Sequence, residues 1–319
     1  MRICRFTHQN QTQVGFYDEQ EIVPIAAVAK AYAETAGERL PIPTGDNLLD
    51  FLPPQGSACA ATQRLADWLK TNRAKLPAGA AIATGSVQLH VPIPRPNKIF
   101  LLAGNYADHI KEGGGVAAER AETFPYVFMK PPTTTLNDPG KPVRIPRASP
   151  GAIDWELELA VIIGQTAKAV REANALKYVA GYTVINDISD RKFRPNPNRK
   201  KRDRDAFFDW LHGKWHDSFC PCGPCVTSAD SIGDPQSLAM TLKLNGEVRQ
   251  NASTGLQIFP VAAVIEFISN LVTLEPGDII STGTPAGVGS STGTFVKPGD
   301  VLEASIERIG TLVSPVAAE

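Results

Sequence analysis

The segment DWELELAVIIG, residues 154 to 164, sets three carboxylates at alternate positions and then turns wholly apolar. Strand residues two apart lie about 6.8 Å apart along the backbone and share one face. Glu156 and Glu158 can therefore converge on a common point, whereas Asp154, twice as far from Glu158, is poorly placed to reach it. Trp155, Leu157 and Leu159 take the opposite register, and the AVIIG run has no alternation, so the strand enters a core instead of skirting it. A second apolar run, GYTVINDISD, ends on Asp187. Three ionised carboxylates about 4 Å apart repel by roughly 4 kcal/mol per pair at an effective dielectric of 20, on the order of 12 kcal/mol together. That is comparable with the net stability of a domain, so protons or a cation must accompany them. An all-oxygen triad with room for water suits Mg2+, Mn2+ or Ca2+, not the thiolate-seeking metals. For this strand alone, a solvated face paired with lysines is the plain alternative.

A second group lies in GNYADHIKEGGG, residues 104 to 115, where His109 and Glu112 sit three apart on one helix face. Glu112 can accept from one ring nitrogen and fix the tautomer, leaving the other nitrogen to take a proton from water. The glycines that follow offer a hinge by which the short helix closes over a site. By itself such a pair describes a solvated helix face equally well.

The elements around these residues indicate an α+β protein. Residues 1–90 read as a small N-terminal α/β domain: short strands at ICRF, QVGFY and EIVPI, then helices at AAVAKAYAET and ACAATQRLADWLKTN, the latter with Leu65, Trp68 and Leu69 on one face. The proline-punctuated VPIPRPNKI is a natural boundary. Beyond it, KIFLLAG, YVFMK, ELAVIIG, GYTVIND, MTLKLNG, GDIISTG and VLEASIE form β-type runs separated by turn signals. Helices are expected only around NYADHIKE, after Asp205 and at FPVAAVIEFISNL, which predicts a body of curled antiparallel sheet.

Composition narrows the class further. With 43% hydrophobic and 20% charged residues the chain can bury a full core, and a formal charge of −1 provides no field to recruit nucleic acid or an acidic membrane. No run approaches 18 apolar residues and no apolar segment follows Arg2 and Arg5, so neither a membrane span nor a secretory signal is expected. Five cysteines, an odd number in a long chain, suit a reducing cytoplasm over a disulfide framework.

Taken with the tail LNGEVRQNASTGLQIFP…LEPGDIISTGTPAGVG, these pieces resemble the fumarylacetoacetate hydrolase family. The matches run in order through NYADHIKE, FMKPPTT, DWELELAVIIG, GYTVINDISDR, GKWHDSFCPCGP and TGTPAGVG, covering residues 97–316. The resemblance implies a mixed β-sandwich or roll as the catalytic domain, and a homodimer. It implies metal ligation by Glu156, Glu158 and Asp187 and a catalytic dyad of His109 and Glu112. Lys214 would lie beside the metal, facing a developing oxyanion or enolate, and Arg191, Thr284 and Lys130 would contact substrate. The implied reaction is hydrolysis of a carbon–carbon bond in an acylpyruvate-type 2,4-dioxo acid, with an enolate expelled. Isomerisation of hydroxy-diene dioates and oxaloacetate decarboxylation would use the same site. From another class, an inactive metal-dependent binding module would have no need of a positioned base.

Three further motifs are set aside. Cys222-x-x-Cys225 in CPCGPC has no second pair, and His212 and His216 lack finger spacing, so the segment reads as a plain loop with structural cysteines. The glycine-rich GTPAGVGSSTG has no GK[ST] ending and is no P-loop. FRPNPNRKKRDRD is basic but lacks interleaved aromatics, and reads as a loop at the site mouth that draws in acidic substrates. Within it the chain departs from the family pattern, which commonly has glutamine where Arg194 stands. An added fixed charge there predicts a substrate with a second anionic end. Arg194→Gln should then lower the preference for dicarboxylate over monocarboxylate substrates, read as the ratio of kcat/KM values; an unchanged ratio removes this role.

Overall fold

A computed structural model describes residues 1–117 and 119–319. The three N-terminal strands are β1 (Arg2–His8), β2 (Gln11–Tyr17) and β3 (Glu21–Pro24), followed by α1 (Ile25–Ala36) and α2 (Cys59–Asn72). Leu65 of α2 is buried, and Trp68 meets Tyr32 of α1 edge-on at 5.8 Å, as the helical spacing predicts. The remainder contributes β4 (Ile99–Ala103), α3 (Ala107–Glu112), β5 (Tyr126–Met129), β6 (Leu157–Ile163) and β7 (Val179–Asn186). It continues with α4 (Asp205–His212), β8 (Cys220–Ser228), β9 (Ala239–Leu244), β10 (Glu247–Ser253) and α5 (Val261–Leu271). β11 (Ile279–Ser281), β12 (Val301–Ile306) and β13 (Gly310–Ala318) complete it.

The main sheet has twelve strands, with the central order β3-β2-β1-β8-β7-β6-β11-β4-β5. The N-terminal strands join it through β1, where Arg2 and Ile3 pair with Thr227 and Val226 of β8. A second, five-stranded sheet runs β10-β9-β12-β13 and closes on Val143–Ile145. The architecture is the α+β class expected, with sheets dominating and helices few.

Every residue of β6 is buried, which explains its unbroken apolar run. Leu157, Leu159, Val161 and Ile163 join one hydrophobic cluster, and Ala160 and Ile162 join the other, so the strand separates two cores. Glu156 and Glu158 belong by alternation to the Ala160–Ile162 face, at the end where that core stops. Between β9 and β10 the chain turns at Asn245-Gly246 with both φ angles positive, 51° and 83°. This is the two-residue hairpin that an NG pair predicts. The Asn245 side chain also accepts from Val301 N at 2.9 Å and donates to Asp300 at 2.8 Å, tying this turn to the turn at Pro298-Gly299-Asp300.

One expectation is corrected. CPCGPC is no loop but the start of β8, a nine-residue strand buried throughout and paired with both β1 and β7. Proline and glycine obscured it, because a central strand ordinarily excludes both. Its three cysteines are free and buried, and burial pushes the Cys220 and Cys225 thiols up to about 12. Inert packing, not redox or zinc chemistry, is their physical role. Among the described residues no helix is long and apolar enough to cross a membrane.

Candidate metal centre and active site

The register of β6 against β7 builds the acidic cluster. Leu157 pairs with Asn186, so Asp187, one residue past the strand end, lies opposite Glu156. The Asp187 amide donates to Glu156 O at 2.8 Å, and Asn186 Oδ1 accepts from Glu156 N at 2.9 Å. On the other flank β6 pairs with β11, Ala160 opposite Ser281, which brings the residues after β11 up to Glu158. Ser281 Oγ and the Gly283 amide donate to Glu158 Oε2 at 2.6 and 2.8 Å. One ligand oxygen from each of Glu156, Glu158 and Asp187 lies within 4.8 Å of the others, and all three residues are buried. Asp154 does not join them.

Three cations border this cluster. Lys214 Nζ donates to Glu156 Oε2 at 2.9 Å and also to Asp187 Oδ2. Lys130, itself buried, donates to the Ile188 and Phe219 carbonyls and sets its ammonium 2.6 Å from Asp187 Oδ1. Arg191 brings Nη2 within 2.5 Å of Glu156 Oε1. Burial raises the Glu156 carboxyl, but the Lys214 and Arg191 charges outweigh it and hold the group well below the usual carboxylate range. Burial opposes the Lys214 charge, but Asp187 and Glu156 outweigh it and keep the ammonium above its ordinary value.

Glu158 is different. Among the described residues it has no cation of its own, and its Oε1 is buried without a hydrogen-bond partner. Burial first, then the charges of Asp187 and Glu156, push its carboxyl well above the ordinary range. An orphaned buried acceptor in an all-oxygen set fits a hard divalent cation, which Glu156, Glu158 and Asp187 would hold.

Beside the cluster, α3 presents the expected pair. His109 Nδ1 lies 2.7 Å from Glu112 Oε1, and Glu112 Oε2 accepts from the Gly287 amide at 2.9 Å. An ionised carboxylate can only accept, so Nδ1–H donates to Glu112 and Nε2 is the ring nitrogen left open. Once protonated, the His109 ring stands close enough for its charge to favour the ionised form of Glu156. The TGTPAGVG loop thus serves both groups through backbone amides. It needs its glycines: Gly283 and Gly287 have φ of +89° and +101°, and a Cβ on Gly287 would lie 2.1 Å from Arg249 O.

The remaining expected residues divide. Thr284 is buried in the same loop and accepts from Gln250 Nε2 at 2.8 Å. Lys130 is enclosed behind Asp187, facing a carboxylate and two carbonyls. Arg194 is exposed and lines a cavity of about 280 Å³ with Pro197, Arg199, Lys201 and Arg202 of the basic loop. Much of that loop's charge is engaged locally, since Arg199 bridges Asp205 and Asp209 of α4 at 3.0 and 2.5 Å. Gln250 had no legible signal: its Oε1 accepts from Leu157 N at 3.0 Å while its amide group holds Thr284 and Pro285 O. Nothing in the string QNAST marks it as a bridge between sheets.

Residues 98–317 match the family description "Fumarylacetoacetate (FAA) hydrolase C-terminal", and residues 1–46 match "Rv2993c-like, N-terminal". The chain belongs to the fumarylacetoacetate hydrolase family. It is 40% identical over 237 residues to the 2,4-didehydro-3-deoxy-L-rhamnonate hydrolase of Sphingomonas sp. (strain SKA58), covering 73% of this chain and 78% of that one. Over 237 residues it is 37% identical to the mitochondrial oxaloacetate tautomerase fahd2 of Xenopus laevis, covering 74% and 70%. The crystal structure of maleylpyruvate hydrolase from Sphingobium sp. SYK-6 in complex with manganese (II) ion and pyruvate is similar over the whole chain, with 99% of that chain covered, a TM-score of 0.69 and 27% identity. These relatives are enzymes of one superfamily with different reactions.

The unbalanced charge on Glu158 has a measurable consequence. Its folded carboxyl sits above the unfolded value, so the folded state holds its proton more tightly, and this group's contribution declines as pH rises from the usual glutamate range. Glu158→Gln mimics the protonated form. Metal-free E158Q should melt at or above wild type at pH 7, with the difference closing toward pH 4, while Mn2+ binding by calorimetry weakens about tenfold or more. A lower melting point together with intact Mn2+ affinity contradicts this reading.

Proposed function

We propose that the protein hydrolyses the carbon–carbon bond of an acylpyruvate-type 2,4-dioxo acid with the help of Mg2+ or Mn2+. The observation that supports this most is the juxtaposition of a buried, partly unpartnered carboxylate triad with an oriented His–Glu pair. A divalent cation held by Glu156, Glu158 and Asp187 would supply Lewis-acid polarisation of the substrate's oxygens. Arg191 and Thr284 would orient the substrate.

His109 Nε2 takes a proton from water as the water oxygen attacks the distal carbonyl carbon. Glu112, accepting from Nδ1–H, stabilises the imidazolium so formed. The bond between that carbon and the adjacent methylene then breaks, its electron pair leaving on the methylene carbon as the pyruvate enolate. The Lys214 ammonium is placed to offset this charge. Return of the proton from His109 gives pyruvate, and the acyl part departs as a carboxylate.

A second reading is proton transfer between keto and enol forms of oxaloacetate, favoured by the similarity to the Xenopus laevis tautomerase. It uses the same base without attack by water. Acetylpyruvate and oxaloacetate assayed with Mn2+ or Mg2+, with and without chelator, separate the two. Chelator should abolish turnover, and His109→Ala should lower kcat by about 10²–10⁴-fold while leaving Mn2+ affinity within threefold. Turnover that survives chelation, or joint loss of activity and metal binding in H109A, contradicts the assignment.

We also propose a homodimer, supported by an exposed apolar surface. Phe124, Tyr126, Phe207 and Leu271 are exposed around a cavity of about 550 Å³ whose lining also includes Phe267 and Trp210. Light scattering should give twice the chain mass of 34.3 kDa, and Phe207→Glu combined with Leu271→Glu should halve it. A monomeric wild type would rule this out.

A further inference from the structure

Asp154 opens the acidic motif yet stands apart from the triad, and it is wholly buried. Its burial is compensated by four donors. Oδ1 accepts from the Trp155 and Gly289 amides at 2.8 and 2.6 Å, and Oδ2 from the Ser290 amide and Arg191 Nε at 2.9 and 2.8 Å. Three of these donors are backbone groups from two separate segments, so the carboxylate is locked in place. Gly289 permits the approach, because a Cβ there would lie 2.7 Å from Asp154 Oδ1 and 2.0 Å from Thr294 O.

Arg191 is held from two sides. Asp154 accepts a hydrogen bond from Nε, Nη2 forms an ion pair with Glu156 Oε1 at 2.5 Å without a hydrogen bond, and among the described residues Nη1 takes no protein partner. A guanidinium is planar, so fixing Nε and Nη2 fixes the direction of Nη1. We infer that Asp154 is a positioning residue for substrate: a rigid abutment that aims Arg191 at the carboxylate of a bound 2-oxo acid, with no part in holding the metal. The inference rests on the proposed function in taking a 2-oxo acid as the ligand.

It predicts that charge alone at position 191 is insufficient. Asp154→Asn can keep an acceptor toward Trp155 and Gly289 while turning a donor toward Arg191 and Ser290. Calorimetry of Mn2+-loaded protein with pyruvate as probe provides a readout separate from catalysis. D154N should bind pyruvate at least tenfold more weakly with Mn2+ affinity within threefold. Arg191→Lys, which keeps the charge and loses Nε, should lose as much, and the double variant should bind no worse than R191K beyond twofold.

Unchanged pyruvate affinity in D154N, multiplying losses in the double variant, or a parallel fall in Mn2+ affinity would each overturn the inference. So would wild-type protein that takes Mn2+ but not pyruvate. If D154N does not fold, the comparison of R191K with Arg191→Met decides: equal losses support the abutment, and R191K within twofold of wild type refutes it. The functional reading fails separately, on absence of acylpyruvate turnover by wild type that binds pyruvate normally.

Discussion

Four buried carboxylates meeting three buried or half-buried cations is the constraint from which the site's arrangement follows. Glu156 and Asp187 share Lys214, Asp187 also faces Lys130, and Arg191 bridges Asp154 and Glu156. Glu158 is left with a hydroxyl and an amide, which solvate one oxygen and leave the other bare. Isolated charges so deeply buried would be untenable, and pairing restores only part of what water supplied. Among the described residues, Glu158 Oε1 is the triad oxygen left with neither a hydrogen bond nor an ion pair. A dication there relieves repulsion instead of adding to it, so metal affinity and fold stability draw on the same electrostatic imbalance.

The scaffold meets this constraint with backbone more than with side chains. Strand β6 lies between β7 and β11, and each neighbour delivers one wall of the site at its end: Asp187 from one, Gly283 from the other. The loop after β11 then donates in turn to Glu158, to Glu112 and to Asp154, through the amides of Gly283, Gly287, Gly289 and Ser290. Glu158 of the acidic triad, Glu112 beside His109 and Asp154 beside Arg191 are thereby referenced to one stretch of chain. The Trp155 indole also donates to Gly287 O at 3.1 Å, closing the connection between strand and loop. A disturbance in this loop therefore reaches all three groups together.

The surroundings of Lys130 follow from the same electrostatics. A lysine in FMKPPTT suggests a cation for an anionic substrate, yet its ammonium is enclosed by Asp187 and two carbonyls. In this arrangement it offsets the charge of Asp187. Its long stem allows this burial, since the methylenes pack while the head is fully bonded.

Much of the molecule was legible in the string of residues. Alternation placed Glu156 and Glu158 on one face, helical spacing paired His109 with Glu112, and ordered motifs indicated the family. These are local properties, carried by periods of two and 3.6 residues and by φ preferences, which a chain expresses before it has any tertiary neighbours. What the fold alone decided are the long-range meetings: Asp187 opposite Glu156, Gln250 between sheets, β1 paired with a cysteine-rich strand that reads as a loop, and Asp154 fastened to Arg191 and the turn at 289–290. Those depend on strand register and on which segment comes to lie beside another. That information is distributed over the whole pattern of burial and has no local code.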